Sequence, residues 1–275
     1  MSLVKTALRR VGHLPGFRGP YLFLRVLNSS LRDRHTARAV LRSRANRGHC
    51  SICEKQTVFI ERTDWLRDEY FCVDCYSIPR QRALIHVLQE KIPDWRDLVI
   101  HESSADGVSS DKIAAECSGY SSSQYMPDVE PGGMRDGIRC ENLEAMTFAD
   151  DSFDVFITQD VFEHVLAPGV AFREVARVLR PGGAHVFTIP LYQHEVSVLR
   201  ARRGDNGETV NLLPPDYHGD PAAGAGWLVA TEWGNDFTKF IEDASGLKTD
   251  VVKIMDPALG LKGEFLEVFV STKVS

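Results

Sequence analysis

Two closely spaced pairs of cysteines are the first residues whose types and spacing could do chemistry. Two residues separate Cys50 from Cys53 and Cys72 from Cys75, and eighteen residues lie between the pairs. A two-residue spacing lets one turn direct both sulfurs at one tetrahedral ion, and a second pair completes the tetrahedron. Four thiolates leave no open coordination position. The spacing therefore predicts a structural zinc ribbon rather than a catalytic metal.

Two alternatives for the cysteines are weaker. They could be buried free thiols, but two such pairs at this separation are rare by chance. A redox role is disfavoured because neither pair opens a helix in a βαβ unit. His35 and His49 are possible substitute ligands, which four cysteines make unnecessary.

A second candidate site follows the apolar strand near residue 98. A glycine-rich turn at this place lets backbone amides approach a nucleotide cofactor. In the stretch 99–107, only Gly107 is a glycine. Taken alone, this turn is weak evidence for a nucleotide site.

The run from Asn142 to Gly183 carries a stronger pattern. It reads NLEAMTFADDSFD, then an apolar strand, then QDVFEH, and it ends in RVLRPGG. The spacings between these motifs agree with those of one known family. Over roughly residues 97–190, the sequence resembles the class I S-adenosylmethionine-dependent methyltransferases of the type 11 group. A narrower resemblance, from Cys50 onward, is to a bacterial methyltransferase-like family and includes Tyr217–Pro221.

The resemblance implies a set of cofactor contacts. The turn after the first strand would lie against the methionine part of S-adenosylmethionine, Gln124 would take the place of the usual ribose-binding acid, and two residues would border the adenine. Serine and alanine replace the first glycines of the turn, and His101 replaces the acid before them, so weak or lost cofactor binding is an alternative. The implied cofactor residues are Glu102, Ser103, Gly107, Gln124, Asn142, Leu143, Gln159 and Asp160.

Two histidines are candidates for activating a methyl acceptor. Methyl transfer requires alignment of the acceptor and removal of its proton, for which histidine is the commonest side chain. His164 follows Glu163 just after the fourth strand, and the alternative is that this pair only holds its loop. His218 lies in a long Pro/Gly-rich insertion, where the alternative is an ordinary surface loop. Trp227 and Trp233 could form a platform for a ring, although burial is the commoner fate of tryptophan.

The elements that must position these residues alternate between strand and helix. Such alternation predicts a doubly wound, mostly parallel α/β sheet of the Rossmann-like type. The predicted organisation is a basic helical arm (1–48), a small zinc ribbon (49–76) and a methyltransferase domain (77–275). A helix is predicted to follow Ser77 and stop before Pro93. Seven strands are predicted: Leu98–His101, Tyr120–Tyr125, Ile138–Glu141, Phe153–Gln159, Ala184–Pro190, Val251–Met255 and Phe265–Ser271.

Composition limits the class of protein. The 275 residues have a net charge of −6, but residues 1–49 hold eleven Lys/Arg against one acid, so this arm is strongly basic. Such an arm suits phosphates, anionic lipid or the chain's own acidic remainder, and it also resembles a transit peptide. No stretch is long and apolar enough for a transmembrane helix, and no secretory signal is evident. A reducing cytoplasm is expected.

The sequence therefore predicts an S-adenosylmethionine-dependent methyltransferase with structural zinc. We expect it to act on a hydroxyl or amine of a small-molecule or glycan-type acceptor, since the body is acidic. One alternative is an RNA methyltransferase that uses the ribbon and the basic arm. The other is a non-catalytic pseudo-methyltransferase that serves as an interaction module. The identity of the acceptor and the oligomeric state do not follow from the sequence.

Overall fold

A computed structural model describes residues 44–218 and 226–274. The predicted basic arm therefore lies outside the described residues, except for its last few, which begin a strand. The described chain divides into two compact units. One contains the residues up to Glu90 together with Gly107–Lys112 and Lys253–Leu266, and the other contains the rest. The domain boundaries drawn from the sequence remain predictions.

The first unit is built on a three-stranded antiparallel sheet. Its strands are β1 (Ala45–Cys50), β2 (Lys55–Glu61) and β3 (Tyr70–Cys72), in that order, with the short helix α1 (Leu66–Glu69) between the last two. Helix α2 (Pro79–Lys91) follows and buries Ala83, Leu84, Val87 and Leu88. The predicted helix is confirmed, with proline in its first turn, where a missing N–H costs nothing.

The second unit contains an eight-stranded sheet in the order β16-β17-β9-β8-β4-β5-β7-β6. Strands β4, β5, β7, β8 and β9 run parallel, whereas β17 is antiparallel to both of its neighbours. This arrangement confirms a doubly wound, mostly parallel sheet. Its strands are β4 (Val99–Ser103), β5 (Gly119–Gln124), β6 (Met134–Arg135), β7 (Ile138–Cys140), β8 (Phe153–Gln159), β9 (Leu179–Thr188), β16 (Lys248–Val252) and β17 (Val268–Thr272).

The predicted number of seven strands is wrong by one, because a short hairpin adds β6 at the edge. Asp136 and Gly137 have φ angles of 51° and 78° and form the two-residue turn that joins β6 to β7. Asp-Gly is the residue pair that such a turn prefers, and the signal was present in the sequence. The last two predicted strands are also displaced: β16 begins before the predicted Val251 and β17 begins after the predicted Phe265, because the ladder runs from the Lys248–Thr272 pair to the Val252–Val268 pair.

Helices pack against this sheet around an aromatic core. Helix α3 (Gly107–Glu116) follows β4 and contributes residues to both units. Helix α4 (Pro168–Val178) precedes β9, and α5 (Phe237–Ser245) ends at Gly246, whose φ of 76° suits glycine. The rings of Phe162 and Phe172 stack with centroids 4.0 Å apart in the core.

Between β9 and α5 the chain forms an insertion of short antiparallel pairs. Strand β10 pairs with β15, β11 with β12, and β13 with β14. Their bounds are Val198–Leu199, Ala201–Arg203, Thr209–Asn211, Tyr217–His218, Trp227–Leu228 and Thr231–Glu232. Within residues 44–218 and 226–274, no helix has the length and apolarity needed to cross a membrane.

Candidate functional site

The four paired cysteines come together at one end of the first unit. Their sulfurs all lie within 4.8 Å of one another. The Cys50 and Cys75 sulfurs are 3.7 Å apart, and those of Cys53 and Cys72 are 4.0 Å apart. Zn–S bonds of about 2.3 Å in a tetrahedron place the sulfurs about 3.8 Å apart. The quartet therefore fits a tetrahedral zinc ion.

Polar groups surround the quartet. The Asp74 backbone N–H donates to the Cys72 sulfur, and the Thr57 hydroxyl, which donates to the Asp74 carboxylate at 2.6 Å, lies 3.3 Å from the same sulfur. The Ser77 hydroxyl lies 3.4 Å from the Cys50 sulfur and 3.2 Å from that of Cys75. Hydrogen bonds of this kind orient metal ligands and spread their charge.

A buried arginine lies behind the quartet. Arg82 has no exposed surface, and among the described residues no carboxylate lies within ion-pair distance of it. Its guanidinium donates to the Ser77 hydroxyl and to the carbonyls of Tyr70, Ser77 and Gly260. It also lies over the Phe59 ring, 4.6 Å from the centroid. The Cys50 thiolate, more than the other thiolates, counteracts the lowering of the Arg82 pKa that burial causes.

A second candidate site lies in the second unit, where the strand order reverses. Strand β4 has β5 on one side and β8 on the other, and the chain crosses from the first side to the second after β7. Ligands of open α/β sheets bind outside the carboxyl ends of the strands at such a point. The residues after β4 and β8 are therefore those placed to contact a ligand.

Glu102 and Gln159, both predicted to contact a cofactor, contact each other. The Gln159 amide donates to one Glu102 oxygen at 2.7 Å, and the Tyr120 hydroxyl donates to the other at 2.7 Å. Glu102 is fully buried. Its carboxylate thus links side chains of three adjacent strands.

The turn after β4 is held by β5. Ser104 has a φ of 59° and donates its backbone N–H to the Ser123 carbonyl at 2.8 Å, while Ser103 is buried. The Gln124 amide nitrogen donates to the Ala105 carbonyl at 2.9 Å. Among the described residues, the side-chain oxygen of Gln124 accepts no hydrogen bond.

Gly107 is required by packing within the first unit. Its φ is 77°, and an added Cβ would lie 2.3 Å from the side-chain nitrogen of Gln81. The close neighbour that this glycine accommodates is therefore the Gln81 amide.

His101, at the position of the expected acid, is a core residue. Its ring nitrogens lie 2.9 and 3.0 Å from the hydroxyls of Ser121 and Ser123, and Phe153 stacks on it. Burial, with a smaller contribution from Arg139, lowers the pKa of His101 to about 3. The neutral imidazole fills this position without a charge.

The predicted adenine border and the floor after β8 have ordered side chains. The Asn142 side-chain oxygen accepts the Glu144 backbone N–H at 3.0 Å, and Leu143 is buried beside it. Asp160 has a φ of 53°, and the Thr188 hydroxyl donates to its carboxylate at 2.9 Å. Non-glycine residues in the left-handed region cost energy and cluster at functional sites.

Glu163, His164 and His218 form a compact cluster at the same end of the sheet. The nearest imidazole nitrogens of His164 and His218 each lie 3.8 Å from Oε1 of Glu163. The two rings are perpendicular, with centroids 5.2 Å apart. Only 2% of the Glu163 side chain is exposed, against 17% for His164 and 38% for His218. The histidines predicted separately thus lie together.

The β13–β14 pair holds this cluster in place. His218 pairs with Trp227 across the two strands. The Leu228 carbonyl lies 2.9 Å from Nδ1 of His164, and the Ala230 backbone N–H donates to the Glu163 carbonyl. Burial lowers the pKa of His164. The insertion therefore fixes the position and tautomer of His164.

Comparison with known proteins identifies the family that part of this chain matches. Residues 94–187 match the family model described as "Methyltransferase domain". This part of the chain is a methyltransferase domain. It is a class I, type 11-like methyltransferase domain, and such enzymes depend on S-adenosylmethionine. The observed strand order agrees with that fold. Residues 94–187 include the turns after β4 and β8 and the Glu163-His164 pair, whereas His218 lies beyond them.

One curated relative matches a short stretch of the chain. A ubiquinone biosynthesis O-methyltransferase from Parvibaculum lavamentivorans is 42% identical over 45 residues, which are 16% of this chain and 18% of that protein. The chain thus matches less than a fifth of the length of this curated relative.

Two solved structures are similar to the chain. An S-adenosylmethionine-dependent methyltransferase from Mesorhizobium loti has a TM-score of 0.47 at 17% identity, covering 70% of this chain and 97% of its own. The 1,6-didemethyltoxoflavin-N1-methyltransferase of Burkholderia thailandensis, solved with S-adenosylhomocysteine, has a TM-score of 0.43 at 16% identity, covering 71% and 79%.

Trp227 and Trp233, in the insertion between β9 and α5, have different surroundings. Trp233 is buried against Phe237 and Phe240, with ring centroids 4.6 and 5.2 Å away, so it is a packing residue. Trp227 is 57% exposed beside His218. Only Trp227 of the pair is exposed enough to form a wall of an acceptor pocket.

Sequence reasoning missed one feature of the methyltransferase domain, which is the buried carboxylate of Glu163 between the two histidines. The motif pointed to the Glu163-His164 pair, but the distance to His218 depends on how the insertion folds. A Tyr-His strand opposite a Trp-Leu strand was the signal that could have suggested this hairpin.

Proposed function

We propose that this chain transfers the methyl group of S-adenosylmethionine to a hydroxyl or amine of a small-molecule or glycan-type acceptor. The observation that carries the proposal is the methyltransferase domain itself, with ordered turns after β4 and β8 at the point where the strand order reverses. Ligands of this fold bind in that place.

Four residues of the second unit would hold the cofactor. The Gln124 side-chain oxygen would accept from a ribose hydroxyl, Asn142 and Leu143 would border the adenine, and the Asp160 turn would form the floor. Glu102 and Gln159 would act indirectly, because their side chains are hydrogen-bonded to each other. When bound, the cofactor supplies an electrophilic methyl group.

The acceptor would be activated by the Glu163, His164 and His218 cluster. A hydroxyl or amine must lose its proton on methylation, and these side chains are the ionisable groups gathered beyond β8. Trp227, which is 57% exposed and pairs with His218 across the hairpin, offers a flat apolar surface for a ring. This arrangement supports a small acceptor.

Zinc in the first unit would be structural. Four cysteines occupy all tetrahedral positions, so no position is open to substrate. The ribbon would stabilise the packing of β1, β2 and β3.

The deciding experiment is a calorimetric titration of the zinc-loaded full chain with S-adenosylhomocysteine. We expect one-site binding that weakens by more than about tenfold in the double variant Gln124→Ala, Asn142→Ala, because each residue contributes a hydrogen bond of about 1 kcal/mol. The matched control is Gln56→Ala, an exposed residue of the ribbon, which should bind as the wild type does.

Absence of binding at millimolar ligand would refute the proposal. That result would mean that Ser103 and Ala105 close the site, and it would favour the non-catalytic interaction module. Binding that the double variant leaves unchanged would instead remove Gln124 and Asn142 from the cofactor site.

A further inference from the structure

We infer that Glu163, His164 and His218 bind a divalent transition-metal ion, separate from the cysteine quartet, at which the acceptor oxygen is activated. This inference deepens the proposed function and rests on it. One ligand atom from each residue lies within 4.8 Å of the others. Two imidazoles and one carboxylate are the donor set of many metal sites with open positions, including catalytic zinc and non-haem iron.

The tautomer of His164 is the first argument. Its Nδ1 lies 2.9 Å from the Leu228 carbonyl, which can only accept, so Nδ1 carries a proton. The lone pair of the neutral ring is then on Nε2, which lies 3.8 Å from a Glu163 carboxylate oxygen. Metal-bound histidines commonly donate their other ring N–H to a backbone carbonyl in this way.

Charge is the second argument. A lone pair and a carboxylate oxygen that face each other at 3.8 Å repel unless a positive charge lies between them. His218 presents its Nδ1 to the same oxygen at the same distance. A cation placed among the three atoms would be coordinated by both imidazoles and by the Glu163 carboxylate, whose side chain is 2% exposed.

Distances are the third argument. Metal–ligand bonds of about 2.1 Å place tetrahedral ligand atoms about 3.4 Å apart. The two measured separations of 3.8 Å need to close by only a few tenths of an ångström. Three protein ligands would leave one tetrahedral position open to an acceptor. An ion there would bind an acceptor hydroxyl and lower its pKa.

The test uses Co²⁺ alone as the probe, added to the chelator-stripped full chain. We expect two ions per chain. One, at the cysteines, gives the intense thiolate-to-cobalt charge-transfer absorption, and the second, bound by nitrogen and oxygen, gives weaker d–d bands without it. His218→Ala and Glu163→Gln should each weaken the second ion by more than about tenfold and leave the thiolate absorption unchanged, which also shows that these variants fold.

His194→Ala is the matched control. His194 lies in the same insertion, but it pairs with Glu232 at 3.5 Å rather than with the cluster. This variant should keep both ions. One ion per chain in the wild type, or a second ion that survives both cluster variants, would overturn the inference and assign the cluster to proton transfer alone.

Binding of S-adenosylhomocysteine separates the two failures. If the chain binds S-adenosylhomocysteine but only one cobalt ion, the metal site is wrong and the proposed function stands. If it binds two cobalt ions but no S-adenosylhomocysteine, the proposed function fails and with it the role in acceptor activation.

Discussion

Replacing Arg82 with glutamine should weaken zinc binding at a distance from the metal. Four thiolates around Zn²⁺ leave a net charge of −2 in a buried place, and Arg82 is the buried cation next to them. The guanidinium donates to the Ser77 hydroxyl, which in turn contacts the sulfurs of Cys50 and Cys75. Arg82 would therefore compensate the charge of a zinc-loaded quartet without coordinating the metal.

The magnitude follows from this geometry. Contacts of 3.2 and 3.4 Å through the Ser77 hydroxyl put the Arg82 Nη1 no more than about 6.6 Å from the Cys50 sulfur. At an effective dielectric constant of about 20, two unit charges at that distance interact by about 2.5 kcal/mol. Loss of the charge should then weaken zinc binding about 60-fold.

The assay is competition for zinc between the protein and a chromophoric chelator of known affinity. Arg82→Lys is the matched variant, since it keeps the charge and loses the planar fork. We expect it to stay within about tenfold of the wild type, while Arg82→Gln falls about 60-fold. Equal losses in both variants would show that hydrogen-bond geometry rather than charge matters, and a change below about threefold in Arg82→Gln would refute the electrostatic reasoning altogether.

Three further predictions concern stability and metal content. Removing zinc with a chelator should lower the melting temperature in scanning calorimetry, and Cys53→Ser should reproduce the loss, whereas an unchanged melting temperature would show that no ion binds the quartet. Burial lowers the pKa values of His101 and His185 to about 3, below the unfolded value near 6.5, so unfolding takes up protons and the free energy of unfolding falls as the pH drops. In urea unfolding, this free energy should fall by about 4 kcal/mol between about pH 7 and about pH 5, and by about half of that in His185→Phe. A slope that His185→Phe leaves unchanged would contradict this assignment. Arg177→Ala should lower the free energy of unfolding by about 1–2 kcal/mol in the same assay, because this side chain donates to the carbonyls of Met146 and Phe148 and pairs with Glu174. The control Arg202→Ala, at an exposed arginine, should change it by less than about 0.5 kcal/mol.

The sequence predicted the elements whose signals are local. Strand β8 has the predicted bounds, Phe153–Gln159, because the short apolar run Val155–Ile157 between turn residues marks a buried parallel strand. The sequence predicts a helix over Val170–Leu179, ahead of Pro181-Gly182-Gly183, and α4 spans Pro168–Val178, since Pro168 extends its first turn. The cysteine quartet was equally clear from the sequence, because the spacing of the two pairs indicates that the four sulfurs share one ion.

What could not be predicted depends on contacts between distant residues. The hydrogen bonds that turn Glu102 toward Tyr120 and Gln159 require the alignment of β4, β5 and β8, which no local pattern specifies. A carboxylate in such a motif predicts a ligand contact, but the sequence does not show that Glu102 is fully buried and hydrogen-bonded to two neighbouring strands.

The cluster beyond β8 shows why the site needed the structure. Glu163 and His164 are adjacent in sequence, so their proximity is trivial, but His218 reaches them only because β13 and β14 pair in register and bring Leu228 to His164. A slip of one residue in that hairpin would move His218 to the opposite face and place Tyr217 or an insertion residue beside the Glu163 carboxylate. Whether the three side chains lie together therefore depends on the two-residue pairing of β13 with β14. Variants that perturb this pairing should alter cobalt binding as strongly as removal of His218 itself.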